Sequence, residues 1–205
     1  MKIINIEQNT EEWLELRRGK ITGSKLKGII VKRGTTRKIG FYEILAEKMG
    51  IPADGENPLD RGHRLEDEAI EQFVEKTGKK VEKVGFCVSD DNEDIALSPD
   101  GLIKDEADKY TEAVEIKCLA SAKHLKSYFD QEIPSEYDEQ VNQYFIVNDD
   151  LKVLHFVMYD PRVTAMPYFS IEIKREDIEE KIIAYKEYQI KTLAEINDCI
   201  LKLTF

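Results

Sequence analysis

Two short motifs carry the residue types that metal-dependent hydrolysis of a phosphodiester needs. One is Ser-Pro-Asp-Gly at residues 98–101, and the other is Glu-Ile-Lys at residues 115–117, with fourteen residues between Asp100 and Glu115. In a strand, alternate side chains share a face, so Glu115 and Lys117 would point the same way. Mg²⁺ prefers one or two carboxylates together with water and phosphate oxygens. If Asp100 lies beside the other two, the motifs predict an enzyme that cuts DNA.

The chemistry assigns a role to each residue of this predicted site. Asp100 would bridge the metal ions, and Glu115 with the backbone carbonyl of Ile116 would complete their coordination. A bound metal lowers the pKa of water and neutralises charge in the transition state. Lys117 would hold the attacking water or stabilise the developing negative charge.

Two further side chains are candidates for the same site, each with an ordinary alternative. Glu66 could bring another carboxylate to a second metal from a long helix, or could be a common helix surface charge. Gln140 shares a helical face with Tyr144 and Val147. A glutamine on such a face needs a polar partner, which the cleft or solvent could provide.

A possible phosphate cradle lies near the N-terminus. Arg17, Ser24 and the start of a helix around Ser24 combine a guanidinium, a hydroxyl and free backbone amides, which together bind a terminal phosphate well. The alternative is that Thr22 and Ser24 only cap that helix.

The charge distribution favours a DNA-facing surface near the N-terminus. The net charge is −11, yet residues 1–40 hold ten basic against four acidic residues, or +6, and the remainder carries −17. This asymmetry predicts a basic face on an acidic body, with Arg18 and Lys20 as candidate DNA contacts. A solvated helix face would give the same pattern.

Composition restricts the class of protein. A chain of 205 residues with 41% apolar and 35% charged residues fits one globular domain, which we expect to span residues 1–205. No apolar run approaches a membrane span, and residues 1–5 do not resemble a secretory signal. Three scattered cysteines suggest a reduced, cytoplasmic protein, and the three histidines form no zinc pattern.

Periodicity and punctuation predict an α/β domain whose central mixed sheet is flanked by helices. No internal repeat or long linker divides the chain. Helices are predicted at 10–18, 22–30, 41–49, 59–77, 121–130, 135–147 and 175–203, and strands at 80–89, 95–98, 101–103, 113–118, 153–159 and 168–173.

The motifs, in their order along the chain, resemble the YqaJ-like viral recombinase family, to which phage lambda exonuclease belongs. The resemblance runs from about residue 10 to residue 162. Single motifs are weak, but six in order are specific. They are residues 12–24, 61–69, 98–101, 115–118, 140–141 and 159–162, the last being Tyr-Asp-Pro-Arg.

The resemblance implies a restriction-endonuclease-like core of the PD-(D/E)xK type. It implies a magnesium-dependent 5′ to 3′ exonuclease that digests one strand of double-stranded DNA to mononucleotides and leaves a 3′ single strand. Two ions are expected, with Mn²⁺ as a possible substitute. The implied catalytic residues are Asp100, Glu115 and Lys117, with Glu66 as an added ligand, Gln140 as a supporting group, and Arg17, Ser24 and Ser98 at the terminal 5′-phosphate.

The resemblance also implies partners. Family members form ring-shaped homotrimers around DNA and work beside a single-strand annealing protein in recombination, which suggests a phage or prophage origin in a bacterial cell. A ring would turn residues 13–40 toward the duplex. The role of Asp160-Pro161-Arg162, a structural turn or a contact, stays open.

Other readings compete with this one. A structure-specific endonuclease of the same core would cut closed circular DNA. A non-catalytic DNA-binding subunit would retain DNA without releasing nucleotides. A Cas4-type relative would need four cysteines for an iron–sulfur cluster, and a calcium module would need EF-hand spacing that residues 104–109 lack.

Overall fold

The chain folds as helices and short strands around a four-stranded sheet, and the computed structural model describes residues 10–18, 28, 34, 36–52 and 58–203. The helices are α1 (Glu11–Arg17), α2 (Ile39–Lys48), α3 (Pro58–Thr77), α4 (Ser121–Asp130), α5 (Asp138–Val147) and α6 (Arg175–Leu203), with a 3₁₀ turn at Ser135–Tyr137. The strands are β1 (Cys87–Val88), β2 (Ala96–Leu97), β3 (Gly101–Lys104), β4 (Tyr110–Lys117), β5 (Val153–Tyr159) and β6 (Tyr168–Lys174). The predicted helix at 22–30 falls almost entirely outside the described residues.

The main sheet has the order β3-β4-β5-β6 and is mixed. β3 and β4 form an antiparallel hairpin, β4 and β5 are parallel, and β5 and β6 are antiparallel. The parallel pair requires a crossover, which the chain makes through α4 and α5. This arrangement confirms the predicted fold class.

The turn between β3 and β4 sets how the two motifs face each other. Asp105 accepts hydrogen bonds from the backbone amides of Ala107 (2.9 Å) and Lys109 (3.1 Å), and Asp108 adopts a positive φ of 63°. Such Asx contacts and left-handed residues close tight turns. The resulting register pairs Gly101 with Val114, so Asp100 arrives beside the end of β4.

One face of the sheet packs against α3. Leu65, Ala69 and Phe73 are buried on α3 at a helical spacing and pack with Val114 and other apolar residues of β4 and β5. This stripe agrees with the 3.6-residue period read from the sequence.

The other face packs against α5 and α6. Val141 and Phe145 of α5 meet Leu154 and Phe156 of β5 in the largest apolar cluster. Arg175 joins the two helices, because its guanidinium donates to the carbonyls of Phe145 (2.6 Å), Asn148 (2.8 Å) and Leu151 (2.7 Å). The start of α6 thereby holds the end of α5 in place.

One local prediction was wrong. The segment 80–89 was predicted as one long strand, but it forms only β1 and an isolated bridge between Glu82 and Leu102. Residues 113–116 of β4 are buried on both faces of the sheet, because α3 and α5 cover the two sides.

In the part of the chain that the structure describes, no helix has the length and apolar character needed to cross a membrane.

Candidate active site

The end of β4 carries the carboxylate and the lysine of the second motif. Glu115 and Lys117 are two residues apart on the strand and share a face, and the ammonium of Lys117 contacts Oε1 of Glu115. The side chain of Glu115 is only 1% exposed, whereas that of Lys117 is 21% exposed. The strand therefore places a buried carboxylate with a lysine reaching from it toward an opening.

Asp100 reaches the same place from the start of β3. Its Oδ2 accepts a hydrogen bond from the backbone amide of Ile116 at 2.7 Å. Gly101 is required beside it, because a Cβ there would lie 2.3 Å from Cγ1 of Val81. The two sequence motifs are thus joined by a direct contact, as their residue types predicted.

The helix α5 supplies further hydrogen-bond donors to Glu115. Gln140 donates from Nε2 to Oε1 of Glu115 at 2.6 Å, and the hydroxyl of Tyr144 donates to Oε2. The backbone amide of Asp100 in turn donates to the hydroxyl of Tyr144 at 3.3 Å. Tyr144 was missed as a site residue, although it lies four residues after Gln140 on the same helical face.

Asp100, Glu115, Lys117 and Gln140 line one cavity with a volume of about 460 Å³. Three lining residues that the motif analysis did not assign are Arg61, Lys123 and Tyr137. The complete lining is Arg61, Gly62, Glu66, Asp100, residues 115–120, Lys123, Tyr137 and Gln140.

Glu66 of α3 lines this cavity. Its carboxylate also receives Lys83 Nζ at 3.3 Å, and the same ammonium contacts Asp67 at 2.5 Å. Glu66 is therefore close enough to act with the other carboxylates, but its present partner is a lysine from outside the site.

The carboxylates share a poorly solvated space. Burial, together with the nearby charge of Glu115, raises the pKa of Asp100 to about 7, although the amide of Ile116 acts in the opposite direction. Burial also raises the pKa of Tyr144 well above its ordinary value, so its hydroxyl stays protonated and can donate. Burial raises the pKa of the Cys118 thiol to about 11, which makes it a poor nucleophile.

The donor set suits a hard divalent cation. Among the described residues, no three His, Cys, Asp or Glu side chains stand together in a ready-made metal cluster. Asp100, Glu115, Glu66 and the backbone of Ile116 nevertheless face one cavity, and carboxylate and carbonyl oxygens are ligands that Mg²⁺ accepts. Burial and the nearby charge of Glu115 favour the neutral form of Asp100, and a bound cation would favour its charged form, so these residues fit a cation.

The predicted phosphate and DNA contacts lie away from this group or outside the described structure. Ser98 is exposed and does not line the cavity. Arg18 donates to the carbonyl of Ile51 at 2.7 Å and lies 3.6 Å from Glu15. Ser24, Lys20 and the side chain of Arg17 lie outside what the structure describes, so their roles stay predictions.

The motif Asp160-Pro161-Arg162 forms a structural turn behind the cavity. Asp160 is buried and accepts hydrogen bonds from Ser121 Oγ at 2.6 Å and from Arg162 Nε at 2.8 Å. Arg162 also reaches the carbonyl of Leu119 at 3.5 Å. These contacts fix the start of α4, which borders the cavity.

The fold is similar to that of a solved exonuclease. The alkaline exonuclease LHK-Exo from Laribacter hongkongensis aligns with 28% identity and a TM-score of 0.63, covering 95% of this chain and 96% of that one. The structure of LHK-Exo in complex with dAMP aligns with 28% identity, a TM-score of 0.62 and the same coverage. A phage-related exonuclease from Haemophilus somnus 129PT aligns with 17% identity and a TM-score of 0.40, covering 88% of this chain and 98% of that one.

Comparison with curated proteins gave no match. The predicted enzyme class, a deoxyribonuclease of the alkaline-exonuclease type, agrees with the similarity to LHK-Exo. The model of the YqaJ-like viral recombinase domain matches residues 12–150. The chain therefore belongs to the YqaJ-like viral recombinase family, as its ordered motifs predicted.

Proposed function

We propose that this protein is a magnesium-dependent exonuclease that digests one strand of linear double-stranded DNA from 5′ to 3′. It releases mononucleotides and leaves a 3′ single strand for recombination. The observation that carries the proposal is the convergence of Asp100, Glu115 and Lys117 on one cavity. There, Asp100 accepts a hydrogen bond from the backbone amide of Ile116, and Lys117 contacts Glu115.

The side chains divide the work of hydrolysis. Asp100 and Glu115, with Glu66 and the carbonyl of Ile116, would hold two Mg²⁺ ions, and Mn²⁺ could replace them. Bound there, the cations lower the pKa of water and neutralise phosphate charge. Lys117 orients the attacking water or donates to a phosphate oxygen, while Gln140 and Tyr144 keep Glu115 in one orientation.

The proposed release of mononucleotides and the proposed binding of the 5′-phosphate rest on different observations. LHK-Exo has been solved in complex with dAMP, and a site that holds a deoxynucleoside monophosphate is compatible with release of mononucleotides. We assign the terminal 5′-phosphate to Arg17, Ser24 and Ser98, and contacts with the duplex to Arg18 and Lys20, on the family's motif and the basic segment.

We extend the proposal to assembly and context. A homotrimeric ring that encloses DNA would keep the enzyme on its substrate, and a single-strand annealing protein would receive the 3′ strand. The proposed location is the cytoplasm of a bacterial cell that carries the phage or prophage. Sedimentation of the purified protein, alone and with a duplex end, measures the number of subunits.

The test is digestion of linear duplex DNA labelled at either the 5′ or the 3′ end, with Mg²⁺ or with a chelator. The wild type should release the 5′ label first, as mononucleotide, and only with Mg²⁺. Lys117→Ala should slow release by orders of magnitude. A closed circular duplex should stay intact.

A matched control separates loss of chemistry from loss of structure. Lys104 also pairs with carboxylates at a strand end, Asp108 at 2.9 Å and Glu82 at 3.6 Å, but it does not line the cavity. Lys104→Ala should retain full activity. First release of the 3′ label, activity in chelator, or cutting of the closed circle would each overturn the proposal.

A further inference from the structure

One face of α5 and of the turn before it makes the contacts with the catalytic end of β4. Tyr137, Gln140 and Tyr144 are spaced three and four residues apart, so they follow one another along this face. Gln140 and Tyr144 each donate to a different oxygen of Glu115. The third member of the row, Tyr137, meets the lysine of the motif.

The contact between Tyr137 and Lys117 involves the aromatic face. The ammonium nitrogen of Lys117 lies 5.0 Å from the centroid of the Tyr137 ring. A cation within about 6 Å of an aromatic centroid is attracted by the electron density of the ring face. The ammonium therefore has two attractive neighbours, the carboxylate of Glu115 and this ring.

The ring is held so that it can act as a fixed surface. It packs against Phe156 of β5 with 5.6 Å between centroids and an interplanar angle of 44°. The backbone amide of Tyr137 donates to the carbonyl of Pro134 at 3.0 Å, which closes the 3₁₀ turn ahead of α5. Both Tyr137 and Lys117 line the cavity, so the contact is at its wall.

A lysine needs such a second contact because its ammonium ends a flexible four-carbon stem. An ion pair with Glu115 alone fixes the distance to one oxygen and leaves the stem free to rotate about it. A ring on the remaining side limits the rotation without competing for the proton donors of the amine. The amine then keeps donors directed into the cavity.

We propose that Tyr137 is a positioning residue, whose aromatic ring holds the amine of Lys117 against Glu115 and directed into the cavity. The face of the ring performs this role, and the phenolic hydroxyl does not. The inference rests on the proposed function, because the amine that it positions is the one that hydrolysis uses.

The first test separates turnover from DNA binding. Tyr137→Leu removes the ring, and we expect kcat for nucleotide release to fall about tenfold, equivalent to about 1.4 kcal/mol, with KM unchanged within about twofold. Tyr137→Phe keeps the ring and should retain kcat. A ring that instead stacks on a DNA base would raise KM, and that result would overturn the inference.

A matched pair elsewhere in the protein serves as control. The ammonium of Lys104 lies 5.0 Å from the Tyr110 ring at the opposite end of β4, outside the cavity. Tyr110→Leu removes an aromatic contact of the same kind and should leave kcat and KM unchanged. If Tyr137→Leu does not fold, Tyr137 can be replaced by phenylalanines that carry an increasing number of fluorine atoms, which nearly keep the ring volume. Because fluorine withdraws electron density from the ring face, kcat should fall stepwise along this series.

The second test does not depend on nuclease activity. An ammonium stem over a ring face is shielded by the ring current, so the ε-methylene NMR signal of Lys117, assigned with Lys117→Arg, should lie upfield in the wild type and in Tyr137→Phe. The shift should vanish in Tyr137→Leu. An unshifted wild-type signal overturns the inference, as does an active wild type whose Tyr137→Leu variant keeps kcat. A wild type that releases no nucleotides, despite the shifted signal, overturns the proposed function instead.

Discussion

Glu115 shows how the fold makes a buried carboxylate tolerable. Removing a carboxylate from water is costly unless hydrogen bonds and an opposite charge replace its hydration. Lys117 and Gln140 contact one oxygen of Glu115, and Tyr144 contacts the other. Asp100 beside it accepts a hydrogen bond from the backbone amide of Ile116 on Oδ2, but burial and the charge of Glu115 outweigh this contact and raise its pKa to about 7.

The buried charge of Asp100 predicts that activity and stability conflict at this residue. Its pKa is raised to about 7, so the folded protein binds this proton more tightly than the unfolded chain. The stability it contributes therefore decreases as pH rises from about 4 to about 7. In chelator at pH 7.5, Asp100→Asn should raise the free energy of unfolding by about 1–3 kcal/mol and abolish nucleotide release.

Urea unfolding at pH 7.5 and pH 4.5 measures this effect. The increase in the free energy of unfolding caused by Asp100→Asn should be smaller at pH 4.5. Added Mg²⁺ should stabilise the wild type more than the variant. Asp90→Asn, which changes an exposed acid, should have little effect at either pH. A less stable Asp100→Asn in chelator at pH 7.5 would contradict the electrostatic account.

We expect the hydroxyl of Tyr144 to contribute to both stability and activity. Tyr144→Phe removes the donor to Oε2 of Glu115 and the acceptor for the amide of Asp100. We expect about 1–2 kcal/mol lower stability and at least about tenfold lower kcat. Tyr42→Phe is the control, because Tyr42 is also buried and its hydroxyl donates to Asp130 at 2.9 Å, far from the cavity.

Thermal unfolding and nucleotide release are to be measured on both tyrosine variants. The control should lose comparable stability and keep its activity. Equal losses of activity in the two variants would show a general effect of destabilisation, and the role of Tyr144 in orienting Glu115 would be wrong.

The secondary elements explain which parts of the site could be predicted from the sequence. Alternation in β4 put Glu115 and Lys117 on one face, and the strands predicted at 101–103 and 113–118 form the hairpin that brings Asp100 beside them. The helical spacing of α5 placed Gln140 near a polar partner, but a sequence gives no sign of which strand a helix covers. Tyr144 and Tyr137 were missed because a tyrosine next to apolar residues most often fills a core.

The segment 80–89 shows the opposite limit. Its alternating pattern is typical of a half-buried strand, but the pattern does not show whether a neighbouring strand is available for pairing. Glu82 forms an isolated bridge with Leu102 of the short strand β3, and Cys87 and Val88 pair only with the two-residue strand β2. Phe86 is left 66% exposed. The pattern thus predicted neither one long strand nor its inward side, because Val88 is also 47% exposed.

The turn at Asp160 predicts a stability effect with a defined pH dependence. Burial alone would raise the pKa of Asp160, but hydrogen bonds from Arg162 and Ser121 outweigh it and hold the pKa below its ordinary value. Its contribution is therefore present above about pH 4 and is lost as pH falls through the lower pKa of the folded state. Asp160→Asn should cost about 3 kcal/mol at pH 7, because it removes the buried charge that accepts hydrogen bonds from Arg162 and Ser121.

Denaturant unfolding at pH 7 and at pH 3 tests this. The difference in the free energy of unfolding between the wild type and Asp160→Asn should be smaller at pH 3 than at pH 7. Asp91→Asn breaks an exposed pair with Lys186, and about 1 kcal/mol or less is expected there. A difference for Asp160→Asn that widens at pH 3 would contradict the assigned role of the turn.

The whole molecule must bind a polyanion while carrying a net charge of −11. The acidic body limits nonspecific affinity, which depends mainly on phosphate neutralisation. We expect binding to use the basic N-terminal region, where residues 1–40 carry +6. Its described members Arg37 and Lys38 are exposed just before α2, and the guanidinium of Arg37 lies 4.5 Å from the centroid of the Phe41 ring.

This distribution predicts that the salt dependence of DNA binding resides in the N-terminal region. Each phosphate contact contributes a slope of about 0.9 to the fall of log K with log salt, so Arg37→Gln with Lys38→Gln should lower the slope by up to about 1.8. The same neutralisation at Lys174 and Lys191, exposed lysines near and in α6, should leave the slope unchanged.

Fluorescence anisotropy with a duplex end, in Ca²⁺ to prevent cleavage, measures the DNA affinity of both double variants at several salt concentrations. Because the two double variants carry the same net charge, a general electrostatic effect would change both slopes equally, and that result would rule out a localised DNA-binding face.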